Sequence, residues 1–194
     1  MTVAVIACGA LTKHIQNIAQ RNSLEIHIES INPLLHNQPD QIAGEVESAL
    51  IGMKGKFAKV AVAYADCGTY GELDAVIARH NVNRLSGNHC YDVFATAETM
   101  RTEFDAQPGT FVLTDYLIQS FDVSVFRQLG LNKYPELRDD YFGNYQRLLW
   151  LAQHPTENLK MRADQIAKQL QLPLEIMNVG EVHLEQQLLQ LLSG

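Results

Sequence analysis

Three cysteines and one histidine are the residues of this chain best suited to chemistry, and all three thiols sit in similar surroundings. Cys8 closes Ile6-Ala7-Cys8-Gly9, Cys67 lies in Ala65-Asp66-Cys67-Gly68, and Cys90 ends Gly87-Asn88-His89-Cys90. Each follows an apolar run and precedes a helical pattern. That places all three at the carboxyl ends of strands, the edge where open α/β sheets bind their ligands. Thiolates sharing one zinc through bonds near 2.3 Å stand roughly 4 Å apart, and neighbouring strands are about 4.8 Å apart. Cys8, Cys67 and Cys90 are therefore expected to converge on a single metal, zinc first, with His89 as a fourth ligand or a support behind the ligands. The paired-cysteine spacing of structural zinc modules is absent. An iron-sulfur cluster is the alternative cofactor, since three cysteines can hold one with a single iron left open. The plainer reading is three small, buried hydrophobic side chains.

Without a metal, Cys67 could act as a nucleophile, with His89 taking its proton and Asp66 or Asp92 orienting the imidazole. The run Cys67-Gly68-Thr69-Tyr70-Gly71 also reads as an anion-binding turn, in which Gly68, Thr69 and Gly71 offer donors at the start of a helix. Equally, it reads as a tight connection that needs glycine for its shape. No Walker or Rossmann glycine pattern is present. His36, in a loop bracketed by Pro33 and Pro39, could face the same crevice, although an ordinary loop residue is the simpler reading. His14, His80, His154 and His183 fall on helices or their ends and are expected to be solvated. The aromatic run Tyr141-Phe142-Gly143-Asn144-Tyr145 is expected to pack between helices before it would wall a pocket.

The elements that must position these residues alternate. Strands are expected at Val3–Ala7, Leu24–Ile28, Lys59–Ala65, Asn83–Ser86, Thr110–Leu113 and Leu174–Val179. Helical patterns cover Leu11–Gln20, a segment through Ile42, Val46 and Leu50, then Tyr70–Arg79 and broken pieces between Tyr91 and Phe104. Further helices are expected from Tyr116 through Phe126 and at Asn144–Ala152, Leu159–Leu170 and Val182–Leu192. The second strand alternates apolar and polar residues and should lie towards an edge. The sum is a three-layer, doubly wound α/β fold with a mostly parallel sheet of flavodoxin-like or Rossmann-like order and a helix-rich C-terminal part. In the order 2-1-3-4-5, the cysteine-bearing strands one, three and four are side by side.

The 194 residues are expected to form one domain, since no linker or low-complexity tract divides them. With 22 acidic against 15 basic residues and no basic cluster, nucleic acid is an unsuitable partner, and a small-molecule substrate or a protein is preferred. No segment reads as a leader or a membrane span, so a cytoplasmic protein is expected. In that reducing setting, thiols or metal ligands are favoured over disulfides.

At Ala65-Asp66-Cys67-Gly68-Thr69, Asn88-His89-Cys90-Tyr91, Gly109–Asp115 and Tyr141–Tyr145, the chain resembles the domain of unknown function family 1638, and Cys8-Gly9-Ala10-Leu11 agrees with that family's opening. The resemblance spans almost the whole chain, and Cys8, Cys67, His89 and Cys90 are intact in it. Members are often found beside corrinoid-dependent methyl-transfer proteins. The resemblance thus implies a place in one-carbon metabolism and a corrinoid methyl-transfer protein as partner. The site, joined to this setting, leads to the expectation of a metal-thiolate protein that transfers a methyl or other group. A metal carrier or accessory protein without catalysis is the alternative.

Overall fold

In a computed structural model that describes residues 3–193, the seven strands form two wholly parallel sheets, and the fold is doubly wound α/β. Where the sequence reads as one domain with one sheet, the described residues pack as two compact units. One unit runs through Val93 and resumes at Glu181, and the other is Phe94–Gly180. Among the described residues, no helix is long and apolar enough to cross a membrane.

The first unit is built on β1 (Val3–Cys8), β2 (Ile26–Ile31), β3 (Lys59–Ala63) and β4 (Asn83–Arg84), ordered β2-β1-β3-β4. β1 is the most deeply covered, with residues 4–7 fully buried. This suits its unbroken apolar sequence, because a strand flanked by parallel neighbours is buried on both faces. β2 alternates half-buried and exposed positions and lies at the edge, as its pattern requires. Parallel pairing forces a helical crossover after each strand, and right-handed crossovers put helices on both faces. Stepping from β1 outward to β2 sends α1 (Gly9–Arg21) to one face, where it packs with α9 (Val182–Ser193). The return step to β3 and the step on to β4 send α2 (Ile42–Met53) and α3 (Glu72–His80) to the other, where they pack together. The direction of winding reverses between β1 and β3, and ligands of such sheets bind in the crevice beyond that point.

His14 departs from expectation. Instead of being solvated, it is buried on α1, with Nδ1 2.6 Å from Glu181 Oε1. Glu181 also accepts from Arg21 at 2.7 Å, so the returning chain is tied to α1 by charge as well as by packing.

The second unit holds β5 (Thr110–Thr114), β6 (Arg147–Ala152) and β7 (Leu174–Asn178), in the order β5-β6-β7. The expectation of a helix at Asn144–Ala152 is corrected, because residues 147–152 are the central strand. Arg147-Leu148-Leu149-Trp150-Leu151-Ala152 is buried at every position, and a continuous apolar run has no period by which to tell a covered strand from a buried helix. α6 (Asp115–Phe121), continued by a wider π-helical turn over Asp122–Phe126, packs with α8 (Glu157–Leu170). Of the aromatic run, Phe142 is core, as expected, and Tyr145 is partly buried, whereas Tyr141 is exposed. The rings of Phe142 and Tyr145 meet Phe111 edge-on at 5.4 and 5.2 Å.

A buried carboxylate organises the end of this sheet. Asp115 accepts from Trp150 Nε1 at 2.7 Å, Gln153 N at 3.2 Å and His154 N at 2.6 Å. Its own amide donates to Gln153 Oε1 at 2.9 Å.

Candidate metal centre

The candidate site lies in the first unit, at the carboxyl end of its sheet. Cys8 is the last residue of β1 and pairs with Ile31, the last residue of β2. It is also the cap residue of α1, with its side chain making no capping bond. Beyond β2 the chain turns through a 3₁₀ segment, Pro33–Asn37, started by Asn32, whose side chain accepts from Leu34 N at 3.0 Å. That segment carries His36 back over the end of β1. Gly9 makes the approach possible: a Cβ there would stand 2.6 Å from Pro33 Cδ and 2.9 Å from Ile31 O.

Tyr64 and Cys67 follow β3. Cys67 is held in the left-handed region at φ 53°, and Gly68 at φ 84° comes after it. A non-glycine residue in that region costs energy and persists only where its surroundings enforce it. Here the enforcement is visible. Asp66 N donates to Gly87 O at 3.1 Å and Cys67 N to Asn88 O at 2.7 Å, strapping the Cys67 loop to the Cys90 loop. On the far side, Asp92 Oδ2 accepts from Asn88 N at 2.8 Å and His89 N at 3.0 Å, which fixes the approach to Cys90 at the start of α4 (Cys90–Ala95). Arg84 braces the same turn, donating to Leu85 O at 2.8 Å and pairing with Asp74 through both carboxylate oxygens.

The centre of the arrangement is His36. The sulfurs of Cys67, Cys8 and Cys90 all act on its imidazole, although they come from three different strand exits. Its Nδ1 lies 3.9 Å from Cys8 Sγ and 3.0 Å from Pro33 O, while Nε2 is buried with no hydrogen-bond partner of regular geometry. Tyr64 closes the floor, with its ring stacked on His36 at a centroid distance of 6.4 Å. Cys8 and Cys67 are buried and Cys90 is partly exposed, so the group opens outward at Cys90. Among the described residues, no three of these four ligand atoms lie mutually within 4.8 Å, so gathering them on one ion would draw the sulfurs inward.

The electrostatics follow from this burial. Removal from water disfavours a charged His36, yet the sulfurs of Cys67, Cys8 and Cys90 outweigh it and hold the imidazole well above its ordinary range. Burial pushes the Cys67 thiol up. His36 opposes that rise, while the neighbouring sulfurs of Cys90 and Cys8 reinforce it. One imidazolium cannot balance three thiolates in a dry site, whereas a dication with a neutral imidazole would leave a single net negative charge.

The residues expected from sequence divide accordingly. Cys8, Cys67 and Cys90 are brought around one imidazole, but that imidazole belongs to His36. His89 is exposed and stacks on Tyr91 with ring centroids 4.6 Å apart. Asp66 orients no imidazole, since its carboxylate binds the turn that follows it. Gly68, Thr69 and Gly71 do form a tight turn, and several of its donors are already satisfied from within. The Thr69 hydroxyl donates to Asp66 Oδ1 at 2.7 Å, Gly71 N to Oδ1 at 3.1 Å and Tyr70 N to Oδ2 at 3.1 Å. Burial works against the Asp66 charge, but those donors and Arg84 hold its carboxyl below the usual range. The turn thus carries its own anion. Tyr64 was missed altogether, and the signal that could have found it is a tyrosine ending an otherwise small-residue apolar strand.

No curated protein and no solved structure matches the chain. A family match covers residues 30–188, which takes in His36, Tyr64, Cys67 and Cys90 and leaves Cys8 upstream. On that match, the chain belongs to the family described as "Protein of unknown function (DUF1638)".

Proposed function

We propose that this protein binds a zinc ion through Cys8, Cys67, Cys90 and His36, and that the zinc-thiolate group takes part in methyl or related group transfer. The observation that carries the reading is the buried, unpartnered Nε2 of His36 amid three cysteines. A histidine that ligates a metal typically gives its other ring N–H to a carbonyl or carboxylate, and His36 Nδ1 stands 3.0 Å from Pro33 O. This leaves Nε2 as the free lone pair. Three sulfurs and one imidazole are a zinc donor set.

Zinc keeps thiolates ionised at neutral pH. In this site, Cys90 is the ligand that an electrophilic substrate would meet, because Cys8 and Cys67 are buried behind it. The partner that goes with this reading is a corrinoid methyl-transfer protein, for which a soft thiolate is a suitable methyl acceptor. The compartment that goes with it is the cytoplasm, where thiols stay reduced.

The test is elemental analysis and an absorption spectrum of protein purified without oxygen. We expect close to one zinc per chain and no visible colour. A brown protein containing iron would replace zinc with an iron-sulfur cluster on the same residues, and metal far below one equivalent would remove the reading. The carrier alternative separates kinetically: a carrier yields its ion to the partner within the lifetime of the complex, whereas a transferase retains it through turnover.

A further inference from the structure

Tyr64 is fully buried, yet its hydroxyl has no hydrogen-bond partner. A buried hydroxyl left without a hydrogen bond is costly, and native structures rarely tolerate one unless something compensates. Its neighbour across the sheet is Cys8, since Ala7 and Ala63 pair and Cys8 and Tyr64 are the residues that follow them, but no hydrogen bond joins the hydroxyl to that sulfur. A neutral thiol is a weak acceptor, whereas a thiolate accepts a charge-assisted bond about twice as strong as a neutral one. A Cys8 thiolate drawn up to a metal would therefore give the hydroxyl the acceptor it lacks. Its position is not accidental to packing. Tyr64 follows directly on β3, the strand beside β1, and its ring stacks on another proposed ligand, His36.

We propose that Tyr64 is a positioning residue of the metal centre, donating its hydroxyl hydrogen bond to the Cys8 thiolate and so drawing charge from that ligand and tightening metal retention. The inference rests on the zinc reading above and names what tunes it. The bond withdraws electron density from one sulfur in a site whose net charge is otherwise negative, and so reduces repulsion among the three thiolates. It also makes Cys8 the least nucleophilic of the three, leaving Cys90 as the reactive sulfur.

The experiment compares Tyr64→Phe with wild type, using cobalt(II) as a coloured substitute for zinc and a chromophoric chelator as competitor. Loss of an outer partner of a metal ligand weakens binding by about 10- to 100-fold, and we expect the lower end of that range. The sulfur-to-cobalt charge-transfer band should move to longer wavelength, because a thiolate freed of its hydrogen bond gives up an electron more readily. Metal-free Tyr64→Phe should be at least as resistant to urea as metal-free wild type, since it no longer buries a hydroxyl against a thiol. Unchanged affinity with an unchanged band overturns the inference while leaving the zinc site standing. A variant that loses metal-free stability while keeping its band also overturns it, by reducing Tyr64 to a core residue. Wild-type protein that takes up no cobalt ends both readings.

Discussion

Cys67→Ser and His36→Ala are each expected to weaken zinc binding several hundredfold, whereas His89→Ala should leave it unchanged. A structural zinc site is worth about 10–16 kcal/mol of binding free energy. Shared among four ligands, that is about 3–4 kcal/mol each, and every 1.4 kcal/mol is a factor of ten. Serine keeps the shape of Cys67 but offers a hydroxyl that stays protonated where a thiolate would form. Alanine at position 36 removes the imidazole on which all three sulfurs act. His89 provides the contrast, being a histidine next to Cys90 in sequence that is exposed and occupied with Tyr91. Competition titration against a zinc indicator measures all three variants. If His89→Ala strips the metal and His36→Ala does not, the site has been assigned to the wrong loop.

The second large effect is one of stability. Asp115→Ala should destabilise the Phe94–Gly180 unit by about 4 kcal/mol, since each buried donor left unsatisfied costs about 1–3 kcal/mol and relaxation recovers part of the sum. The donors orphaned are Trp150 Nε1, Gln153 N and His154 N. Trp150 is the single tryptophan of the chain, so its fluorescence follows this unit's unfolding directly. A urea midpoint that moves by an amount equivalent to less than about 1 kcal/mol would mean that water takes over the carboxylate's role.

Much of this was legible in the residues, for reasons that can be named. β1 and the edge strand β2 were readable because burial on two faces and burial on one leave different patterns, unbroken against alternating. The β2-β1-β3-β4 order that sets three cysteines side by side is the common order of doubly wound sheets, taken from the fold class and not from any one residue. β6 was not readable, because a run buried on every side carries no periodicity. Its misreading also hid the second sheet. His36 stayed ambiguous because nothing local distinguishes it from any loop histidine. Its place is set by a contact 28 residues distant in sequence, over a glycine, Gly9, whose missing Cβ is the actual permission. His89 drew attention by standing directly before Cys90 in the chain, but its side chain is exposed and stacks on Tyr91. The Gly68–Gly71 turn resembled an empty anion cradle because the sequence does not reveal that Asp66 folds back into it.

The most direct measurement is X-ray absorption at the zinc edge on protein loaded with one equivalent of zinc. The expected inner shell is three sulfurs at about 2.3 Å and one nitrogen at about 2.0–2.1 Å, with the nitrogen lost in His36→Ala and one sulfur lost in Cys67→Ser. A shell of oxygen and nitrogen without sulfur, or one identical in all three proteins, would contradict a metal centre built on these cysteines.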